Sequence, residues 1–435
     1  MKRGSLFSFD FILLSATLIL TVIGVLFIYS SNITSTGLVF SNEYIKQLIW
    51  AVSGCILLAL FAYFGYTRLR HISPYIYGFT MLLLLITALI GKEVSGARSW
   101  LGIGDYGIQT SEFAKLAVIL FLAAYLRGVG NGVRELPRFV FGLGITLLPM
   151  GLILLQPDMG TALVFLPIFL VMVFMAGARL RHIFFICAAG ALVVVLSILP
   201  AFERLILERE LVFLNLIANL NLLKYLLIAL LFIAFLAGWG YFRFKRGYFY
   251  WILYTVAILL TGVLGSLAAG VVLRDYQIMR LIIFMNPRVD PQGAGWNIIQ
   301  SVTAVGSGGF WGKGFLQGTQ SHYRFLPQQS TDFIFSILAE EWGFIGGMVV
   351  FLLFLVILIR GIRIAYTARG SYALYVGSGI VAMIFFHVIV NIGMAMGLMP
   401  ITGIPLFFLS YGGSSLWTAM IGVGILLNIY QRRYQ

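Results

Sequence analysis

Apolar residues in this chain come in unbroken runs of about twenty, set apart by short polar connections, and not in alternating or striped patterns. Runs of that length match the ~30 Å hydrocarbon core of a bilayer when wound as helices. They predict twelve spans, at 11–30, 45–65, 74–90, 111–126, 139–156, 160–177, 183–200, 222–242, 248–272, 332–359, 373–397 and 404–430. The first run follows Met1-Lys-Arg-Gly-Ser, is longer than the apolar region of a signal peptide, and shows no small-residue cleavage site, so it reads as a retained span. The expected fold is an all-α polytopic membrane protein, with 1–435 as a single membrane domain.

Composition sharpens this. Of 435 residues, 61% are hydrophobic and only 10% charged, more apolar surface than a soluble core can hide. The net charge of +14 raises the question of nucleic acid, but the charges sit in alternate connections. Lys2/Arg3, Arg68/Arg70, Arg127/Arg134/Arg138, Arg179/Arg181, Arg243/Lys245/Arg246, Arg360/Arg363/Arg369 and Arg432/Arg433 all fall on one side. The positive-inside rule makes that side cytoplasmic, with both termini there. The charge therefore reflects topology, and no nucleic-acid partner is expected. Cys55 and Cys187 lie in apolar runs, and His71, His182, His322 and His387 show no metal-ligand spacing.

Acids are biased the other way. Of 15 Asp and Glu residues, only Asp10 and Glu135 fall on the cytoplasmic side. Acids contribute little to orientation, so an outer face rich in carboxylates points to chemistry there. Two outer connections stand out: a polar hairpin over 91–110, and a large extracytoplasmic loop over 273–331, before the third-last helix. Long loops of this kind are functional or disordered, and Trp296, Ile298, Ile299, Phe310, Trp311 and Phe315 give this one apolar anchors.

Pro327-Gln-Gln-Ser-Thr-Asp332 reads as a turn into a helix, with Ser330 or Thr331 as N-cap and Asp332 in the first turn. Asp332 is either a complement to the helix dipole or a working acid. Glu340 and Glu341 follow at membrane depth, where carboxylates are costly and a partner is expected: a structural ion pair or a site role. Glu112 and Lys115, spaced i and i+3, share a helix face and carry the same two readings. A buried lysine there also suits a phosphate-bearing substrate. Asp158, after Pro157, is a helix cap or a site residue. Lys92, Arg98, Arg274, Arg280, Arg288, Lys313 and Arg324 are each solvated loop charges singly, and together an anion-binding surface. The glycines of 306–309 and 312–314 bring backbone amides within reach of phosphate, without the ending or strand context of a P-loop. From Gly397 to Ser415, prolines, glycines and small polar residues interrupt an apolar segment. Such backbone survives at membrane depth only under protein cover or around a cavity, so it reads as a re-entrant or broken element.

Four stretches together resemble the RodA/FtsW family of shape, elongation, division and sporulation proteins. Asn391 through Ser415 is similar to the family signature, and Phe325-Leu-Pro through Glu340-Glu341 to its catalytic-loop motif. Gly96-Ala-Arg-Ser-Trp-Leu with Gln109-Thr-Ser-Glu-Phe-Ala-Lys, and Gln156-Pro-Asp-Met-Gly-Thr, resemble two further blocks. Gly295-Trp-Asn-Ile-Ile-Gln-Ser and Gly318-Thr-Gln favour the elongation branch. The resemblance implies a peptidoglycan glycosyltransferase that polymerises lipid II at the outer face of the cytoplasmic membrane. It implies a class B penicillin-binding protein as partner, with other elongation-complex proteins. Asp332 maps to the essential acid, a general base. Glu112, Lys115, Arg98, Trp100, Asp158, Lys313, Arg324, Ser410, Gly412 and Gly413 are the expected substrate contacts. Glu340, Glu341, Pro327, Pro400 and Pro405 are expected to support them. A divalent cation, Mg or Mn, is a possible addition. The family has ten spans, so 203–272 reads as an insertion with two extra helices. A lipid II flippase and a non-catalytic scaffold of the cell-wall complex remain as alternative functions.

Overall fold

The computed structural model describes residues 9–34, 37–94, 96–103, 106–207, 220–272 and 275–434. Lys2, Arg3 and the candidate cation Arg274 lie outside the described residues, as does most of the 203–221 segment. The chain divides into two compact units, Met1–Ala178 with Trp296–Gln435, and Arg179–Gly295.

The first unit opens with α1 (Phe11–Ser31), α2 (Glu43–Tyr63) and α3 (Tyr66–Ile90), then strands β1 (Lys92–Val94), β2 (Ala97–Ile103) and β3 (Tyr106–Gln109). Helices α4 (Thr110–Val129), α5 (Leu136–Leu154) and α6 (Met159–Met175) follow. The second unit holds α7 (Leu180–Phe202), α8 (Leu220–Phe244), α9 (Gly247–Val272) and α10 (Asp275–Met285). Then come α11 (Ala294–Ser307), α12 (Thr319–His322), α13 (Ile334–Tyr366), α14 (Ser371–Ala395) and α15 (Gly413–Gln431), which return the chain to the first unit.

Among the described residues eleven helices are long and apolar enough to cross a membrane, and α6 is apolar but spans 17 residues. At 1.5 Å per residue α6 still covers about 26 Å. Three details depart from the sequence pattern. The third span starts at Tyr66, not 74, because Pro74 is accommodated inside the helix. The polar hairpin over 91–110 is a three-stranded antiparallel sheet, in order β1-β2-β3, with Trp100 opposite Gln109 and Leu101 opposite Ile108. The last span starts at Gly413, not 404, and the backbone just before it is non-helical yet buried.

The core of the first unit lies along α14 and α15, the two most enclosed helices. Their small residues permit close helix approach. At the basic end, Asn428 of α15 donates to the Ala62 carbonyl at 2.6 Å, and its side-chain oxygen accepts the Tyr66 amide at 3.0 Å. There too Asp10 caps α1 and accepts from Arg360 Nε at 2.8 Å, which accounts for one of the two acids on that side. In the second unit α9 packs on both α7 and α8, around Leu196, Leu223 and Val263.

Candidate active site

The long loop before α13 is built on two acids. Helix α13 breaks at Gly343 (φ 63°, ψ −160°), leaving a half-helix over 334–342 that ends in Glu340 and Glu341. Loop backbone crosses this break at a distance no side chain tolerates: a Cβ on Gly343 would sit 2.2 Å from the Gly312 nitrogen. A Cβ on Gly312 would meet the Glu341 carbonyl oxygen at 2.1 Å. The amides of Gly312, Lys313 and Gly314 donate to the carbonyls of Gly308, Glu340 and Glu341 at 2.9–3.0 Å. These glycines therefore serve close packing against α13, and not the phosphate cradle their spacing suggested. Glu340, fully buried, accepts from Lys313 Nζ at 2.7 Å, from the Thr319 amide and hydroxyl at 2.9 Å, and from the Gln320 amide at 3.1 Å. Glu341 accepts from the Ser30 hydroxyl of α1 and, at 3.1 Å, from the Leu316 amide. Both acids hold loop backbone, and Lys313 is drawn inward to Glu340.

Asp332 lies just ahead of the half-helix. The N-cap position is Phe333, without a side-chain cap bond, so neither Ser330 nor Thr331 caps and Asp332 is not in the first turn. The chain around Asp332 is instead fixed by distant partners. Gln329 donates its side-chain amide to the Ser31 carbonyl at 2.6 Å, and the Ser330 carbonyl accepts the Tyr411 amide at 2.8 Å. Asn391 of α14 donates to the Asp332 carbonyl at 2.9 Å and to the Ile404 carbonyl at 2.8 Å. One side chain thus ties the acid to the non-helical segment before α15. In that segment Gly403 (φ +72°) faces the acid: a Cβ there would lie 3.7 Å from Asp332 Oδ2. Asp332 itself is half-buried, and Pro327 of its loop is exposed.

Much of the polar backbone from 396 to 412 is paired inside the bundle, as suits non-helical chain at that depth. His387 Nδ1 pairs with the Pro405 carbonyl at 2.9 Å, which places the ring proton on Nδ1. His387 Nε2 is then an acceptor, and Lys115 Nζ lies 3.0 Å from it. The same Lys115 donates to Glu112 Oε1 at 2.6 Å, with both side chains buried. Glu112 Oε2 has no hydrogen-bond partner among the described residues. Ser410 Oγ accepts the Leu406 amide at 2.8 Å, and Gln47 of α2 brackets the turn through the Ser410 carbonyl and the Gly412 amide. Gly413 packs on the Trp50 ring, and Pro400 and Pro405 are half-buried in the segment.

Asp158 caps α6 through the Thr161 amide at 3.0 Å and accepts from Gln109 at 3.3 Å. Gln109 also donates its backbone amide to Ser414 Oγ at 2.9 Å, so the outer ends of α4, α6 and α15 meet. Gly160, two residues after Asp158, lets the Thr402 carbonyl approach to 2.1 Å from where a Cβ would be. Asp158, Thr402, Gly403 and Asp332 therefore form a continuous rim. Arg98 is exposed, 3.7 Å from Glu93, and its amide donates to the Gln156 carbonyl at 3.2 Å, beside this rim. Trp100 is half-buried next to Gly107. Arg324 lies further out, stacked 3.2 Å over the Phe40 ring.

A family model described as "Cell cycle protein", covering FtsW, RodA and SpoVE, matches residues 11–221 and 209–435. The chain belongs to this family. It is 49% identical over 433 residues to "Peptidoglycan glycosyltransferase RodA" of Treponema pallidum (strain Nichols), covering 100% of both chains. It is 36% identical to "Stage V sporulation protein E" of Bacillus subtilis (strain 168), covering 97% of this chain and 96% of that one. A chain solved in a study of polymerization and crosslinking by a peptidoglycan synthase complex is 27% identical, with TM-score 0.68 and 99% of each chain covered.

Two members of this family site escaped the sequence reading as site residues. His387 was passed over for lack of ligand spacing, yet a lone ionisable residue inside an apolar run was itself a signal. Gln47 sits in the first turns of α2, where nothing local marks it. Among the described residues no group of three or more His, Cys, Asp and Glu gathers to hold a metal ion.

Proposed function

We propose that the chain is a peptidoglycan glycosyltransferase acting on lipid II at the outer face of the cytoplasmic membrane, with Asp332 as general base. Support comes first from the placement of that acid. Its backbone is fixed through Asn391 to the segment whose Gly403 lies beside its carboxylate without a side chain. The peptidoglycan glycosyltransferase names of full-length relatives point the same way. Asp332 takes the proton from the 4-hydroxyl of the acceptor N-acetylglucosamine. That oxygen bonds to the donor's anomeric carbon as the bond from this carbon to phosphate oxygen breaks, and the lipid pyrophosphate leaves with the electron pair. Arg98 on the rim and Arg324 beyond it are suited to meet the leaving charge. Lys115, buried and already held by Glu112 and His387, ties α4 to α14.

The basic connections support a cytoplasmic placement of both termini, with the loop bearing Asp332 outside. The likeness to a chain of a complex that polymerizes and crosslinks supports a transpeptidase partner of the class B penicillin-binding type. Purified Asp332→Asn should fail to polymerise labelled lipid II while remaining folded. Near-full rate in a folded variant rejects the assignment. Thiol labelling of a cysteine placed beside Asp332 checks the side of the membrane.

A further inference from the structure

We infer that the second unit carries a binding site for an anionic phospholipid, at the basic ends of α7 and α9. The inference does not depend on the reaction proposed above. A groove of about 550 Å³ opens between these helices, walled by Leu180, Phe184, Trp251, Thr255 and Ile258, with Arg181 at its mouth. The volume lies in the range of small-ligand sites, roughly 300–1,000 Å³. The Arg181 guanidinium carbon lies 5.3 Å from the centroid of the Tyr250 ring. Its Nε is buried and has no hydrogen-bond partner among the described residues. The Tyr254 hydroxyl donates to the Arg181 carbonyl at 2.6 Å, which fixes α9 against α7 at this level.

Charge and lining together select the ligand. Arg179, Arg181, Arg243, Lys245 and Arg246 cluster at this end of the unit, and no carboxylate occurs anywhere in 179–202 or 220–272. A cationic rim with a buried, unsatisfied guanidinium donor recognises a phosphate oxygen. The apolar wall below it suits an acyl chain, and Trp251, Tyr250 and Tyr254 form the aromatic belt of a headgroup level. Free phosphate would use the rim and leave the wall empty. A zwitterionic headgroup would bring its own cation up to five others. An anionic phospholipid satisfies both halves, as basic pockets between helices do elsewhere. Such a lipid would bind across the two helices and brace the inserted hairpin α8–α9 on α7.

The test uses the full chain purified in an uncharged detergent and titrated with brominated phosphatidylglycerol or brominated phosphatidylcholine, reading tryptophan quenching. Saturable quenching by phosphatidylglycerol is expected at least about tenfold below the concentration needed with phosphatidylcholine. Trp251→Phe should remove most of that component. Arg181→Gln should bring the two lipids together, and Thr255→Phe, which fills the groove and leaves every charge, should weaken both. Equal quenching by the two lipids in the unaltered chain overturns the inference, as does a preference that survives Arg181→Gln. Displacement by millimolar inorganic phosphate would reassign the site to a small anion and overturn the lipid class. If Arg181→Gln aggregates, Thr255→Phe decides: an unchanged phosphatidylglycerol curve sinks the groove.

Discussion

Replacing Glu340 by Gln tests whether the outer loop is held by one buried carboxylate. In the native chain Glu340 takes hydrogen bonds from Lys313 Nζ, from the amide and hydroxyl of Thr319, and from the Gln320 amide. Glutamine keeps the shape, loses the charge, and turns an NH₂ toward donors. Removing one partner from a buried ion pair costs about 3–5 kcal/mol. Lys313 is 27% exposed and can turn to water, which favours the lower end. A loss of about 3 kcal/mol is roughly a hundredfold in the opening equilibrium of the loop. Amide hydrogen exchange on the purified full-length protein reads this directly. Thr319 and Gln320 should exchange about a hundredfold faster, while the half of α13 beyond Gly343 stays protected. Lys313→Met should have a smaller effect, because Thr319 and Gln320 still bind the carboxylate. Unchanged exchange at Thr319 and Gln320 in Glu340→Gln would refute the reasoning, since the acid would then not be what holds the loop.

Further outcomes follow from the same geometry. Asn391→Leu strands the carbonyls of Asp332 and Ile404, at about 1–3 kcal/mol for each buried group. Lipid II polymerisation should fall far more than the unfolding temperature does. Lys115→Met leaves Glu112 buried without its partner and should destabilise by about 3–5 kcal/mol in thermal unfolding, and adding Glu112→Gln should restore most of it. Gly160→Val drives a side chain into the Thr402 carbonyl, and overpacking of about 1–3 kcal/mol should appear with lost polymerisation. Burial holds the His322 imidazole below its ordinary value despite the opposing pull of Glu340. An unfolded chain binds this proton first, so the contribution of His322 to stability should decline as pH drops below about 6.5, and comparison with His322→Gln should isolate that part of the pH dependence.

What could be read from the sequence was what depends on run length. The spans were legible because a bilayer imposes about twenty apolar residues on any helix that crosses it. The break before Gly413 was legible in kind, from Pro400, Gly403 and Pro405, but its end at residue 412 was not, because Ser410 and Gly412 are held by Gln47 of α2. The sheet over 92–109 was misread as a hairpin because strands of three to seven residues carry little periodicity. Asp332 was misplaced into the first helical turn, since Ser-Thr-Asp before an apolar run is the local pattern of a capped helix start. What fixes it is Asn391, 59 residues on, which no local pattern reveals. The same holds for Lys115: its neighbour Glu112 was visible at i,i+3, and His387, 272 residues away, was not.

These distant ties also explain why so many helices are needed to present one acid. A carboxylate at the end of a single helix would be a cap, with its oxygens spent on amides of the next turn, as Asp158 is on Thr161. Asp332 stands one residue outside the N-cap, so the half-helix does not claim it in that way. Its position must then come from elsewhere. The backbone bonds from Asn391 and Tyr411 and the side chain of Gln329 supply it, drawing on α14, the segment before α15, and α1. The bonds from Asn391 and Tyr411 are made to main-chain carbonyls at Asp332 and Ser330, and that of Gln329 is made by its side chain to α1. The carboxylate is left facing Gly403, where only a hydrogen stands between it and the rim. The base proposed here for a bulky lipid-linked sugar draws on that fixed backbone and on the missing side chain at Gly403. Gly403→Ala puts a methyl in contact with the acid and strains the backbone at φ +72° beside the Asn391 tie, so polymerisation should slow. An alanine variant with full polymerisation rate would show that sugar reaches Asp332 from another side.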